Sequence, residues 1–225
     1  MTPPLAVDID GTLTDGTGAL DPRVMTPLRE WPEPVVVATG KALPYPVALC
    51  HFVGIPTRVV AENGGAAYLE DDDELVFVGD REAAQRVVDA YRERGYDLGY
   101  GDVDLTNRWR ETELAVSLDQ PLEPLRELAA AEGMNLFDTG YAYHVTSPGV
   151  DKGTALEAIC DRLDRSVEEF AMVGDSENDA AAFERVGHSY AVANADDAAK
   201  ATADFETEAS YADGFLEALD AIRSL

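Results

Sequence analysis

The run Val7-Asp8-Ile9-Asp10-Gly11-Thr12 sets two carboxylates at the end of an apolar stretch, Leu5-Ala6-Val7. Three other patches carry compatible chemistry. Val36-Val37-Ala38-Thr39-Gly40-Lys41 places a hydroxyl, a glycine and an ammonium after a second apolar run. Val150-Asp151-Lys152-Gly153 places a lysine at the start of a helix-like segment, and Met172-Val173-Gly174-Asp175-Ser176-Glu177-Asn178-Asp179 places acids four residues apart after a third apolar run. Gathered in one crevice, Asp8, Asp10, Asp175 and Asp179 would repel one another and require a hard cation, protonation, or both. Oxygen donors select Mg²⁺ or Ca²⁺ over softer metals. The Thr39 hydroxyl and the Lys152 ammonium suit the oxygens of a phosphate group, so the constellation predicts phosphoryl transfer.

The elements that must position these groups follow from hydrophobic pattern. Short apolar runs at Leu5 to Ile9, Val35 to Thr39, Thr57 to Ala61, Glu169 to Val173 and Ser189 to Val192 read as buried parallel strands. Helical patterns fill Asp21 to Arg29, Pro44 to Val53, Lys152 to Leu163, Asn178 to Arg185 and Phe215 to Arg223. The expected fold class is α/β: a doubly wound, Rossmann-like parallel sheet whose crevice lies at the carboxyl ends of its strands, where Asp8 and Asp10 fall. Between residues 80 and 147 the rhythm changes. Helices at Arg81 to Arg94 and Pro121 to Glu132 alternate with extended stretches at Tyr96 to Val103, Glu113 to Leu118, Asn135 to Asp138 and Tyr141 to Thr146. This predicts an α+β cap of order αββαββ inserted at 80–147 into a core made of 1–79 and 148–225.

In this order, DxDGT, a strand-terminal Thr, a Lys and GDxxxD resemble the haloacid dehalogenase superfamily of phosphatases. The inserted cap and Glu62-Asn63-Gly64-Gly65 narrow the likeness to the subgroup that includes archaeal phosphoglycolate phosphatase. The resemblance implies a Mg²⁺-dependent hydrolysis of a small phosphomonoester, 2-phosphoglycolate foremost, through an aspartyl-phosphate. It implies Asp8 as nucleophile and Asp10 as general acid and base. Asp8, Asp175, Asp179 and the Asp10 carbonyl become metal ligands, with Asp179 direct or one water removed, while Thr39, Gly40 and Lys152 bind phosphate. Asn178 is expected to position the catalytic loop. Lys41 departs from the arginine common in relatives, keeping the charge without the bidentate fork. A sugar-phosphate phosphatase or a phosphomutase shares this pattern, and an acidic cation-binding protein without turnover is the rival from another class.

Each patch also has a plainer reading. DxDGT can be a turn, Asp175 and Asp179 a solvated helix face, and Lys152 a surface lysine, although lysine occurs only at 41, 152 and 200. Asn63 reads equally as a turn former and as a pocket residue. In the cap, Arg108 and Arg110 could read a substrate carboxylate with help from His144, or simply pair with neighbours such as Glu111. An EF-hand does not fit, because Leu13 or Asp15 stands where its loop needs glycine.

The 225 residues carry 44 acids against 17 bases, a formal net charge of -27. That balance disfavours nucleic acid and anionic membranes as partners and points to a small anionic phosphorylated metabolite handled by local positive charge. A homodimer is compatible with the sequence. Acid excess with so little lysine predicts a halophilic protein, because molar salt shortens the Debye length to about 3 Å. No apolar stretch approaches the roughly 20 residues of a membrane helix, and no signal-like start is present, so a cytoplasmic location is expected. Cys50 and Cys160 have no CxxC partner and are expected as free buried thiols.

Overall fold

The computed structural model describes residues 2–225. The chain runs through β1 (Leu5–Val7), α1 (Met25–Arg29), β2 (Val35–Ala38), α2 (Pro44–Val53), β3 (Arg58–Ala61), β4 (Ala66–Leu69) and β5 (Glu74–Phe77). It continues with α3 (Arg81–Glu93), β6 (Leu114–Ser117), α4 (Leu122–Ala131), β7 (Asn135–Asp138) and β8 (Ala142–Thr146). Last come α5 (Lys152–Arg162), β9 (Ala171–Gly174), α6 (Ala180–Phe183), β10 (His188–Ala191), α7 (Asp197–Thr202), β11 (Phe205–Glu206) and α8 (Tyr211–Ile222).

The main sheet has the order β11-β10-β9-β1-β2-β3-β4-β5. The strands from β11 to β3 are parallel, and β4 and β5 close one edge as an antiparallel hairpin. Strand alternation sorts the core into two layers. Leu5, Val7, Val35, Val37 and Val59 pack with Leu49, Phe215 and Leu219 on one face. Ala6, Val36, Ala38 and Val60 pack with Leu156, Ile159 and Phe170 on the other. The α/β expectation holds, with three strands beyond it: β4, β5 and β11. The acidic run at 70–74 is the tip of the β4–β5 hairpin, where Asp73 has φ +52°. Among the described residues no helix is long and apolar enough to cross a membrane.

A second sheet of order β6-β8-β7 is antiparallel and lies within 80–147. One face carries Leu114, Val116 and Val145 against Val87, Val88, Tyr91 and Leu125 of α3 and α4. The opposite face carries Ala115 and His144, paired across β6 and β8. The crossings between the two sheets lie side by side, because Asp80 N–H donates to Ser147 Oγ at 2.7 Å.

The cap order is αβαββ, which corrects the expected αββαββ. Tyr96 to Val103 forms turns instead of a strand. Gly99 and Gly101 adopt φ of +82° and +67°, and Asp97 Oδ1 takes the Gly99 N–H at 2.6 Å, an Asx turn. Leu98 keeps a single ladder-like contact, accepting from Ser117 N–H at 2.8 Å. The alternation of aromatic and polar residues there imitates a strand, but left-handed glycines break the extended backbone.

Candidate active site

β1, β2 and β9 end side by side, so their following residues share one crevice. The Asp8 N–H still donates to Val173 O at 3.0 Å, after which the chain turns at Gly11. Gly11 has φ +72°, and a Cβ there would lie 1.8 Å from Asp175 Oδ2. Only glycine lets these two loops meet.

The structure brings Asp8, Asp175 and Asp179 together; one carboxylate oxygen from each lies within 4.8 Å of the others, all buried. Lys152, with no exposed surface, projects from the first turn of α5 into this cluster. Its Nζ donates to Asp8 Oδ1 and Asp179 Oδ1 at 2.7 Å each and to Asn178 Oδ1 at 3.1 Å. Burial opposes the Lys152 charge, but Asp179 and Asp8 outweigh it and hold the ammonium protonated. Burial, the largest influence, pushes Asp8 up to about 7 against the pull of Lys152, with Asp179 and Asp10 adding to the rise. Asp175 is pushed up to about 9, first by burial and then by Asp8 and Asp179. Too much negative charge has been drawn out of water for one lysine to balance.

The acids present fit a hard cation. Asp175 Oδ1 is buried with no hydrogen-bond partner among the described residues, an open oxygen donor in a crowded anionic cluster. Asp179 is more committed: Oδ1 takes Lys152, and Oδ2 takes the N–H groups of Asp175 and Ser176 at 3.0 and 3.1 Å. Its carboxylate shapes the loop as well as adding charge.

Asp10 stands apart from this cluster. Its carboxylate pairs with Lys41 Nζ at 3.0 Å and faces a cavity of about 200 Å³ between core and cap. Asp8, Gly40, Lys41 and Asn178 line the same cavity. Thr39 is fully buried at the end of β2, where Oγ1 accepts the Lys41 N–H at 3.2 Å. The Gly40 carbonyl accepts from Arg110 Nη1 of the cap at 2.9 Å.

Asn178 does more than shape its own loop. While its Oδ1 holds Lys152, its Nδ2 donates to Asn63 Oδ1 at 2.8 Å, and Asn63 Nδ2 donates to Glu113 Oε2 of the cap at 2.8 Å. Glu113 is fully buried and also pairs with Arg110 and with His144 Nδ1. Burial is the largest influence on Glu113 and pushes it up, but His144, Arg110 and its hydrogen bonds together hold the carboxyl below its ordinary value. Glu62 accepts from the Glu111 and Thr112 N–H groups and from Thr112 Oγ1. Glu62 and Asn63 both adopt left-handed φ, +52° and +55°, a strained conformation that clusters at functional sites.

Of the two cap arginines, Arg110 lines the cavity with His144, and its neighbour pairing is with Glu113, not Glu111. Arg108 is exposed and borders a different depression, with Arg81 and Arg92. Tyr100 and Tyr141 also line the cavity; sequence reading missed both, and Glu113, since nothing local distinguishes them from ordinary strand and turn residues. Cys50 and Cys160 are free and buried.

Residues 117–219 match the family described as haloacid dehalogenase-like hydrolase. A protein from Haloarcula marismortui called phosphoglycolate phosphatase is 63% identical over 218 residues, covering 97% of this chain and 96% of its own length. A second of that name, from Natronomonas pharaonis, is 56% identical and covers 99% of both chains. These relatives come from halophilic archaea. A crystal structure of a Thermoplasma acidophilum protein superposes with a TM-score of 0.86 at 27% identity, covering 100% of both chains. A haloacid dehalogenase-like hydrolase from Bacteroides thetaiotaomicron shares the fold at 18% identity, with a TM-score of 0.77 and coverage of 99% of this chain and 100% of its own. With its strand-end acids, buried lysine and inserted cap, and with relatives this similar along nearly all its length, the chain belongs to the haloacid dehalogenase-like hydrolases.

Proposed function

We propose that the protein is a Mg²⁺-dependent phosphatase that cleaves 2-phosphoglycolate to glycolate and phosphate through an aspartyl-phosphate on Asp8. The observation that carries this reading is the contact of Lys152 with both Asp8 and Asp179 beside the unpartnered Asp175 Oδ1. The names of the close relatives supply the substrate.

An oxygen of Asp8 attacks phosphorus, and the bond from phosphorus to the ester oxygen breaks. Asp10, at the cavity wall, gives a proton to the departing glycolate oxygen. Water then attacks the aspartyl-phosphate, Asp10 takes its proton, phosphate departs and the Asp8 carboxylate is restored. Asp8 and Asp175 would hold the metal, with Asp179 beside them and the Asp10 carbonyl as a further oxygen. When bound, the ion supplies concentrated positive charge for the phosphoryl oxygens and keeps Asp8 ionised. Lys152 places a fixed charge against the nucleophile, and most of the catalysis is positioning and electrostatics.

The test is phosphate release from a panel of phosphorylated metabolites, with and without Mg²⁺, by the natural protein and by Asp8→Asn. Preferred, metal-dependent turnover of 2-phosphoglycolate that vanishes in the folded variant is expected. An unchanged rate in Asp8→Asn refutes the mechanism, and preference for a sugar phosphate refutes the substrate.

A further inference from the structure

The cavity between core and cap has two chemically different walls. The core side presents Asp8, Asp10 and Lys41; the cap side presents Tyr100, Arg110 and His144. Arg110 is only 5% exposed, and most of its donors are committed. Nε donates to Thr106 O at 3.1 Å, and Nη1 donates to Gly40 O and pairs with Glu113. Among the described residues, Nη2 has no hydrogen-bond partner. Ionised Glu113 also fixes the His144 ring, because Nδ1 must donate to Glu113 Oε1, leaving Nε2 without a partner among the described residues.

Tyr100 adds a third group. Its hydroxyl is buried and has no hydrogen-bond partner among the described residues. Burial pushes the phenol up to about 12 despite the nearby Arg110 charge, so the group remains a donor. A buried hydroxyl without a partner is destabilising unless something brought to the site accepts from it. A guanidinium edge, a phenol and an imidazole, oriented by a buried carboxylate and opposite the Asp8 crevice, suit a small planar anion.

We propose that Tyr100, Arg110 and His144 form a carboxylate subsite on the cap that holds the anionic end of the leaving group, with the Tyr100 hydroxyl as a specificity-determining donor. The assignment rests on the phosphatase reading and adds how the cap selects within it. An ester whose tail lacks an anion leaves the guanidinium edge and the buried phenol unpaired at the cavity wall. Sites built to hydrogen-bond a substrate discriminate strongly for that reason. Glu113 is a positioning residue here, since it reaches the ligand only through Arg110 and His144.

Two measurements on Tyr100→Phe, which removes one oxygen, test the subsite. The first is the ratio of kcat/KM for 2-phosphoglycolate to that for ethyl phosphate, whose two-carbon body lacks the carboxylate. The variant should lower this ratio about 10- to 100-fold, the range of a hydrogen bond to a charged group. The second is calorimetric binding of phosphonoacetate and of ethylphosphonate, which needs no turnover. Phosphonoacetate should lose affinity selectively in the variant. An unchanged ratio, or equal loss of affinity for both phosphonates, overturns the subsite. Selective loss of phosphonoacetate binding in a protein that hydrolyses neither ester would uphold the subsite while overturning the phosphatase reading.

Discussion

Asn63 joins the two halves of the site: its side chain accepts from Asn178 on the core and donates to Glu113 on the cap, each contact 2.8 Å long. Lys152 lies one residue beyond at one end, and Arg110 and His144 at the other. The side chain is buried and its backbone left-handed, at φ +55°. Asparagine tolerates that conformation better than most residues.

Replacing Asn63 separates these two roles. Asn63→Gly keeps the backbone free to adopt positive φ and removes the bridge, whereas Asn63→Ala removes the bridge and adds about 1–2 kcal/mol of left-handed strain. Both variants should lose kcat/KM to a similar degree, with the alanine variant melting at lower temperature. Undiminished activity in Asn63→Gly would mean that the bridge is not needed for catalysis.

Lys152 is expected to be irreplaceable even by another cation. Lys152→Met leaves Asp8 and Asp179 without their common partner, and loss of one fixed charge at a reacting centre lowers kcat about 10²- to 10³-fold. Lys152→Arg keeps the charge but brings a planar fork into a space with no exposed surface. Steady-state rates together with thermal melts check this; near-native kcat for the arginine variant would show that charge alone suffices.

Stripping the metal should make stability fall with rising pH. In the folded chain Asp8 is pushed up to about 7 and Asp175 to about 9, against an unfolded value near 3.8. Between those limits the folded state binds more protons than the unfolded state, so raising the pH favours unfolding. The contribution is complete below about 3.8 and lost as pH passes about 7 and then about 9. Mg²⁺ bound as proposed would relieve the same repulsion, so the Tm gain on adding MgCl₂ to chelator-treated protein should grow across this range. A gain independent of pH would argue against these acids as the binding site.

The charge of -27 sets the salt response. At about 0.1 M salt the Debye length is near 10 Å, and at 1 M about 3 Å, so self-repulsion and repulsion of an anionic substrate both fade. Unfolding followed from low to molar salt should show rising Tm, and kcat/KM should rise over the same range while the protein stays folded. Equal stability at all salt concentrations would remove the halophilic reading, and a steady decline in kcat/KM would contradict the repulsion argument.

How much was legible in the sequence follows the range of the forces involved. The alternating cores of β1, β2 and β3 and the acids and lysine at the element ends were readable because strand burial and loop chemistry are local. The Tyr96 to Val103 segment alternates like a strand, but its left-handed glycines turn the backbone; β11 is only two residues long, and β4 and β5 are a partly exposed hairpin without the continuous burial that marks the central strands. Tertiary structure alone decided that Asp10 turns to Lys41, that Asp175 keeps an oxygen free, and that Glu113 gathers Arg110, His144 and Asn63. Those contacts join residues up to 50 positions apart in the cap and its core neighbour, and 144 between Asp8 and Lys152. Their energies depend on which charges share one buried volume, a property that chain order does not encode locally and only packing creates.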